Sequence, residues 1–171
     1  RTPGPVYVRL GRSVGGCIHE VPDHVAYEIG KAERLRAGND VTVIAAGIMV
    51  EQSLYAADLL EKQGVSAEVI NVRSVKPIDT EMITGSAEKT GAIVTAEDHN
   101  CCGGLFGAVA EAAALSVPVP IEYVALQDTF GESGNGKELL DKYGLNAKNI
   151  CKKALRVIER KRKGDANYAV K

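Results

Sequence analysis

Apolar and polar positions fall in short alternating blocks along most of this chain. Residues 41–46 (VTVIAA), 67–72 (AEVINV), 92–96 (AIVTA) and 121–126 (IEYVAL) are apolar runs of strand length, near glycine or proline breaks. That is the pattern of buried β-strands. Between them, residues 51–63 carry Leu54, Ala57 and Leu60 at helical spacing and close on Gly64. Pro77-Ile78-Asp79 opens a short helix with Asp79 as its N-cap. Residues 103–115 read as an alanine-rich helix, and 137–143 and 147–162 as the closing helices. Residues 25–37 fit a strand or a short helix. The opening run 6–10 (VYVRL) alternates like a strand and stops at Gly11. Residues 13–24, with Gly15, Gly16 and Pro22, read as a linker, and the residues from Gly164 as a mobile tail.

Strands alternating with helices imply βαβ crossovers. The expected fold is therefore α/β, a three-layer α/β/α domain with a mostly parallel sheet. In such sheets the functional edge lies where strands end and helices begin. Here that edge comprises Gly47 and residues 73–77, 97–104 and 127–136.

Composition narrows the classes. The chain has 171 residues, 45% of them hydrophobic, enough for one domain with a real core. Its net charge is −1, from 21 basic and 22 acidic residues, so nucleic acid and anionic membrane are not the expected partners. The one basic run, Arg160-Lys161-Arg162-Lys163, reads as a solvated helix end. No apolar run approaches the ~20 residues of a membrane span, and no signal-peptide pattern opens the chain. The first residues are Arg1, Thr2 and Pro3, which reads as a fragment, a processed product or a chain lacking its upstream part. Cys17, Cys101, Cys102 and Cys151 include no C-x-x-C pair, which argues against zinc. They read as free thiols of a cytoplasmic protein.

Three groups could carry chemistry. Residues 131–138 (GESGNGKE) approach a phosphate-binding P-loop, with two glycines and a lysine at the right spacing. Glu138 occupies the position where magnesium needs Ser or Thr, so a glycine-rich turn into a helix is the better account. Glu97, Asp98 and His99 end a strand beside Gly103, Gly104 and Phe106, a usual site position in α/β folds. Asp98 or Asn100 could simply cap the next helix, and the glycines could simply allow close packing. His99 could titrate near neutrality, but nothing marks Cys101 or Cys102 as an activated nucleophile beside it. Arg9 and Arg12 flank the end of the opening strand, where two guanidinium groups could grip a phosphate.

The run GNDVTVIAAGIMVEQSLYAADLLEKQGVSAEVINVRSVKPID, with EDHNCCGGLFGAVAEA and DTFGESG…ELLDKYGL, resembles the C-terminal domain of transketolase-type enzymes. The likeness is greatest to the C-terminal half of split bacterial and archaeal transketolases. Deoxyxylulose-phosphate synthases and the β subunits of 2-oxoacid dehydrogenases are similar at greater distance. The resemblance implies that residues 1–22 are the last strand of a preceding pyrimidine-binding domain plus linker. Residues 23–163 are then the C-terminal domain, and 164–171 the flexible tail. It further implies an enzyme moving a two-carbon ketol unit between sugar phosphates, with this chain inactive alone. Thiamine diphosphate and magnesium would belong to the complete enzyme, held by an N-terminal domain or subunit and not by this chain. Arg12, and Arg9 as in the synthase branch, would bind the substrate phosphate. The segment from Glu97 to Phe106 would form an interface or active-site rim in a homodimer. A non-catalytic assembly domain is the rival of another class.

Overall fold

A computed structural model of the chain describes residues 3–11 and 27–169. Five strands form one sheet: β1 (Glu33–Arg36), β2 (Val41–Ala45), β3 (Ala67–Asn71), β4 (Ile93–Asn100) and β5 (Ile121–Leu126). Five helices accompany them: α1 (Met49–Glu61), α2 (Thr80–Thr90), α3 (Leu105–Leu115), α4 (Gly136–Lys142) and α5 (Ala147–Ala169). The strand order is β1-β3-β2-β4-β5. All pairings are parallel except that of β1, which runs antiparallel to β3 along one edge. The domain is thus a three-layer α/β/α sandwich with a mostly parallel sheet.

The apolar runs explain the layers. Every residue of β2 and β3 is buried, as in strands covered on both faces. One face carries Val43, Val69, Val94 and Val124, packed against Ala57 and Leu60 of α1 and Ile150 and Val157 of α5. The other carries Ile44, Ile70 and Ile93, packed against Ile83 of α2 and Val109 of α3. Asp79 caps α2, its side chain accepting the Met82 N–H at 3.1 Å.

Two expectations need correction, and one open reading is decided. Val6, Tyr7, Val8 and Leu10 are exposed and belong to no strand. Alternation alone makes no strand: the backbone must find a neighbour, and no described strand of this chain pairs with it. The segment 25–37, whose pattern fits strand or helix, contains the short edge strand β1. The last helix does not stop before Gly164 but runs on to Ala169. A glycine costs only about 1 kcal/mol in a helix interior, and no proline follows it. No helix among the described residues is long and apolar enough to cross a membrane.

The carboxyl edge as candidate functional site

The segment singled out in the sequence lies where β4 leaves the sheet. Ala96 pairs with Val124 and Asn100 with Leu126, so four steps along β4 match two along β5. The excess falls on Glu97, Asp98 and His99. They form a bulge, which re-aims side chains at the rim of a sheet.

Glu97 turns inward and is almost wholly buried. Its carboxylate accepts the Leu105 N–H at 2.6 Å and the Phe106 N–H at 2.9 Å. Those are orphan donors of the first turn of α3, so Glu97 is the anionic cap of that helix. The capping role expected of Asp98 or Asn100 therefore falls to Glu97. The cap also explains Gly104. A Cβ there would lie 2.2 Å from Glu97 Oε2 and 2.7 Å from the Asn100 carbonyl oxygen, closer than atoms can approach. Gly103 has φ of +74°, a conformation costly for residues with a side chain.

Asp98 and His99 turn outward. The Arg9 guanidinium donates to Asp98 Oδ2 at 3.4 Å, with both side chains partly exposed. The structure thus joins the opening segment to the β4 end. Arg12 lies outside the described residues. His99 is half exposed, and its Nδ1 lies 3.1 Å from the Asn100 carbonyl oxygen. A carbonyl only accepts, so Nδ1 is the donor in that contact. Phe106 stacks on Tyr123 of β5, ring centroids 4.6 Å apart.

Asn100 organises this edge, a larger role than the helix cap its position suggests. Its Nδ2 donates to Asp128 Oδ1 at 3.0 Å and its Oδ1 accepts the Cys102 N–H at 3.0 Å. It thereby ties the β4 turn to the loop after β5. Asp128 has φ of +53°, which Asp tolerates better than most residues. An Asp two residues beyond a strand was the available signal, and it was weak.

The residues described do not fit a diphosphate–magnesium site. Where the glycine-rich turn enters α4, the Asn135 side chain accepts the Lys137 and Glu138 N–H groups at 3.0 and 3.4 Å. Two of the N–H groups a phosphate would need are thus already engaged. Among the described residues, no group of three or more His, Cys, Asp or Glu side chains is placed to hold a metal ion. The Cys102 thiol is pushed up by its hydrogen bond with Cys101, the opposite of an activated nucleophile.

The comparisons with known proteins agree with this architecture. Residues 30–150 match the family model described as transketolase, C-terminal domain. The chain is 48% identical over 158 residues to the 6-deoxy-6-sulfo-D-fructose transketolase subunit SqwH of a Clostridium species, covering 92% of this chain and 48% of that protein. It is 39% identical to a subunit of the apulose-4-phosphate transketolase of Phocaeicola vulgatus, covering 92% and 50%. A 1-deoxy-D-xylulose-5-phosphate synthase of Heliobacterium modesticaldum is 38% identical, covering 88% and 24%. Among solved structures, a split-gene transketolase described as an inactive β4 tetramer superposes with a TM-score of 0.87 at 44% identity, covering 91% of this chain and 50% of that one. The chain thus spans about half the length of the transketolase subunits it matches. A family model matching most of the chain, together with that shared fold, shows that this chain belongs to the transketolase family through its C-terminal domain.

Proposed function

We propose that this chain is the C-terminal part of a thiamine-diphosphate-dependent transketolase and is inactive alone. The reading rests on one observation: over nine-tenths of its length the chain is similar to subunits of split transketolases, in sequence and in fold. The solved relative at 44% identity is described as inactive in its β4 form. That supports a requirement for a second, cofactor-binding N-terminal subunit or domain. Thiamine diphosphate, with magnesium, supplies the carbanion-stabilising chemistry of ketol transfer when bound there. The present chain contributes the interface at its carboxyl edge, from Glu97 to Phe106, towards a second copy in a homodimer. The free thiols suit a cytoplasmic enzyme.

The opening segment carries the substrate contact. The names of the relatives each contain a sugar with a sulfo or phosphate group. Arg12, with Arg9 beside it, binds such an anionic end. The Arg9–Asp98 pair is partly exposed, worth at most about 1 kcal/mol, and open to displacement by a doubly charged phosphate.

The test is reconstitution. Joined to a preceding pyrimidine-binding domain and mixed with an N-terminal cofactor-binding subunit, the chain should support ketol transfer from a sugar phosphate, and no component should do so alone. Activity of the isolated chain, or none in any mixture, would overturn the reading. In the active mixture Arg12→Ala should lower kcat/KM about 30- to 1000-fold, equivalent to ~2–4 kcal/mol for two lost charge-assisted bonds. The loss should fall on phosphorylated sugars far more than on their unphosphorylated counterparts. Equal losses on both would return Arg12 to a structural role. A second reading, a synthase of deoxyxylulose phosphate, is favoured by the 38% identity to such an enzyme. Formation of that product in place of ketol transfer would decide for it.

A further inference from the structure

The glycine-rich turn into α4 approaches a phosphate loop in sequence and does not fit one in structure. It contains the pair Asn135-Gly136. Residues 127–138 are exposed throughout. Asn135 is the N-cap of α4, and its Oδ1 accepts the Lys137 and Glu138 N–H groups at 3.0 and 3.4 Å. The N–H of Gly136, which lies before those two, has no hydrogen-bond partner among the described residues. We propose that Asn135 is a site of spontaneous deamidation, with the Gly136 nitrogen as the internal nucleophile.

The reaction needs a backbone nitrogen free to attack the side chain of the residue before it. Among the described asparagines, only Asn135 has one. The N–H after Asn39 donates to the Ser66 carbonyl at 2.9 Å, that after Asn71 to the Ala45 carbonyl at 2.8 Å, and that after Asn100 to the Leu126 carbonyl at 2.9 Å. The N–H after Asn146 donates to Gln52 Oε1 at 3.1 Å, and that after Asn149 to the Asn146 carbonyl at 3.1 Å. Asn167 lies inside α5, where the helix ladder takes the following N–H. Each of those bonds must break before attack. Glycine adds a second advantage, since it has no Cβ to hinder its nitrogen and turns most freely. The extended backbone of Asn135, with φ of −67° and ψ of 127°, must rotate to bring nitrogen and amide carbon together. Little resists that motion. α4 has 7 residues, none of them buried. It is shorter than the ~12–15 residues at which an isolated helix becomes even marginally stable, so its first turn opens readily. Asn135 also lies outside the Glu97–Phe106 segment proposed as an interface.

The reaction needs only water. The Gly136 nitrogen bonds to the Asn135 amide carbon, and the side-chain nitrogen leaves as ammonia with the proton from Gly136. Water then opens the cyclic imide at either carbonyl, leaving aspartate or isoaspartate at position 135. Aspartate still caps α4 and adds a negative charge at its positive pole. Isoaspartate lengthens the backbone by a methylene and displaces the capping oxygen.

The test incubates the full chain between pH 7 and pH 9, followed by intact mass, ammonia release and peptide mapping that separates aspartate from isoaspartate. Both products are expected at position 135 ahead of any other asparagine. Their rate should rise with pH, because the attacking nitrogen must lose its proton. Gly136→Ala should slow the reaction at least about tenfold, equivalent to ~1.4 kcal/mol in the barrier. Asn135→Ser keeps a capping oxygen without an amide and should end modification at this position. Earlier modification of another asparagine, aspartate without isoaspartate, or an unchanged rate in Gly136→Ala would overturn the proposal. So would an intact chain still unmodified at position 135 after the urea-unfolded chain has reacted there, since the fold would then protect the pair. The mapping uses the unaltered chain, so it decides the matter even if a variant misfolds.

Discussion

At the scale of single residues, the Glu97–Gly104 contact carries the turn. Two charge-assisted bonds from a buried carboxylate hold the start of α3. Hydrogen bonds to charged groups contribute about 1.5–3 kcal/mol, and removing one partner leaves buried donors unsatisfied. Glu97→Ala should therefore lower stability by about 2–3 kcal/mol, and Glu97→Gln by less because one acceptor oxygen remains. Gly104→Ala should cost about 1–3 kcal/mol, since its Cβ would collide with the same carboxylate and with the Asn100 carbonyl. The two changes share a contact, so the double variant with Glu97→Ala should cost less than the sum. Urea unfolding midpoints of the four proteins measure this. Strict additivity would mean that the carboxylate is not what excludes a side chain at position 104.

At the scale of elements, two buried carboxylates fasten strands to helices. Glu68 of β3 is fully buried and receives Lys89 of α2 at 2.5 Å, Arg34 of β1 at 2.6 Å and the Thr42 hydroxyl of β2 at 2.9 Å. Glu122 of β5 receives Lys153 and Arg160 of α5 at 3.0 and 2.7 Å. Burial works to raise each carboxyl, but hydrogen bonds, from Lys89 first for Glu68 and from Lys153 first for Glu122, hold both below the ordinary range. A carboxyl held low in the folded state stabilises it above the unfolded value of about 4.3. That stability is lost as pH falls through the folded value. The unfolding free energy should thus be level near neutrality and decline from about pH 5 downward. Glu68→Gln should make the decline shallower. It should also cost about 2–3 kcal/mol at pH 7, less than the roughly 3–5 of a fully buried pair, because Arg34 and Lys89 can turn to water. Denaturant titrations of both proteins from pH 7 to pH 3 check the slope. An unchanged slope would mean that Glu68 does not titrate with unfolding.

At the scale of the whole molecule, the homodimer proposal makes the carboxyl edge an interface. Phe106 is a poor probe of it, because its ring already packs on Tyr123 within the chain. Phe130, in the loop after β5, is 100% exposed and free to be changed without disturbing the core. Phe130→Asp should raise the dimer dissociation constant at least about tenfold, or ~1.4 kcal/mol, with the unfolding midpoint unchanged. Light scattering across a concentration series reads the mass. A chain that stays monomeric throughout, or a variant that associates as strongly as the parent, would remove this edge from the interface.

The sequence by itself determined what depends on local patterning. The four apolar runs were legible as strands because a strand covered on both faces is apolar at nearly every position. The Asp79 cap of α2 was legible because it acts across three residues. The α/β class follows from the order of those elements. The glycine and acidic residues at the end of β4 marked the edge without revealing their roles. Only the tertiary structure decided those. The bulge at residues 97–99 exists only relative to β5, and Glu97 reaches a helix eight residues away. Asn100 meets Asp128 because two strand ends lie side by side. The alternating run at residues 6–10 has the pattern of a strand but pairs with none of the described strands, since pairing needs a neighbour that the pattern cannot supply. Periodicity reports which faces a segment can bury; contacts between distant segments depend on where the folded chain sets them.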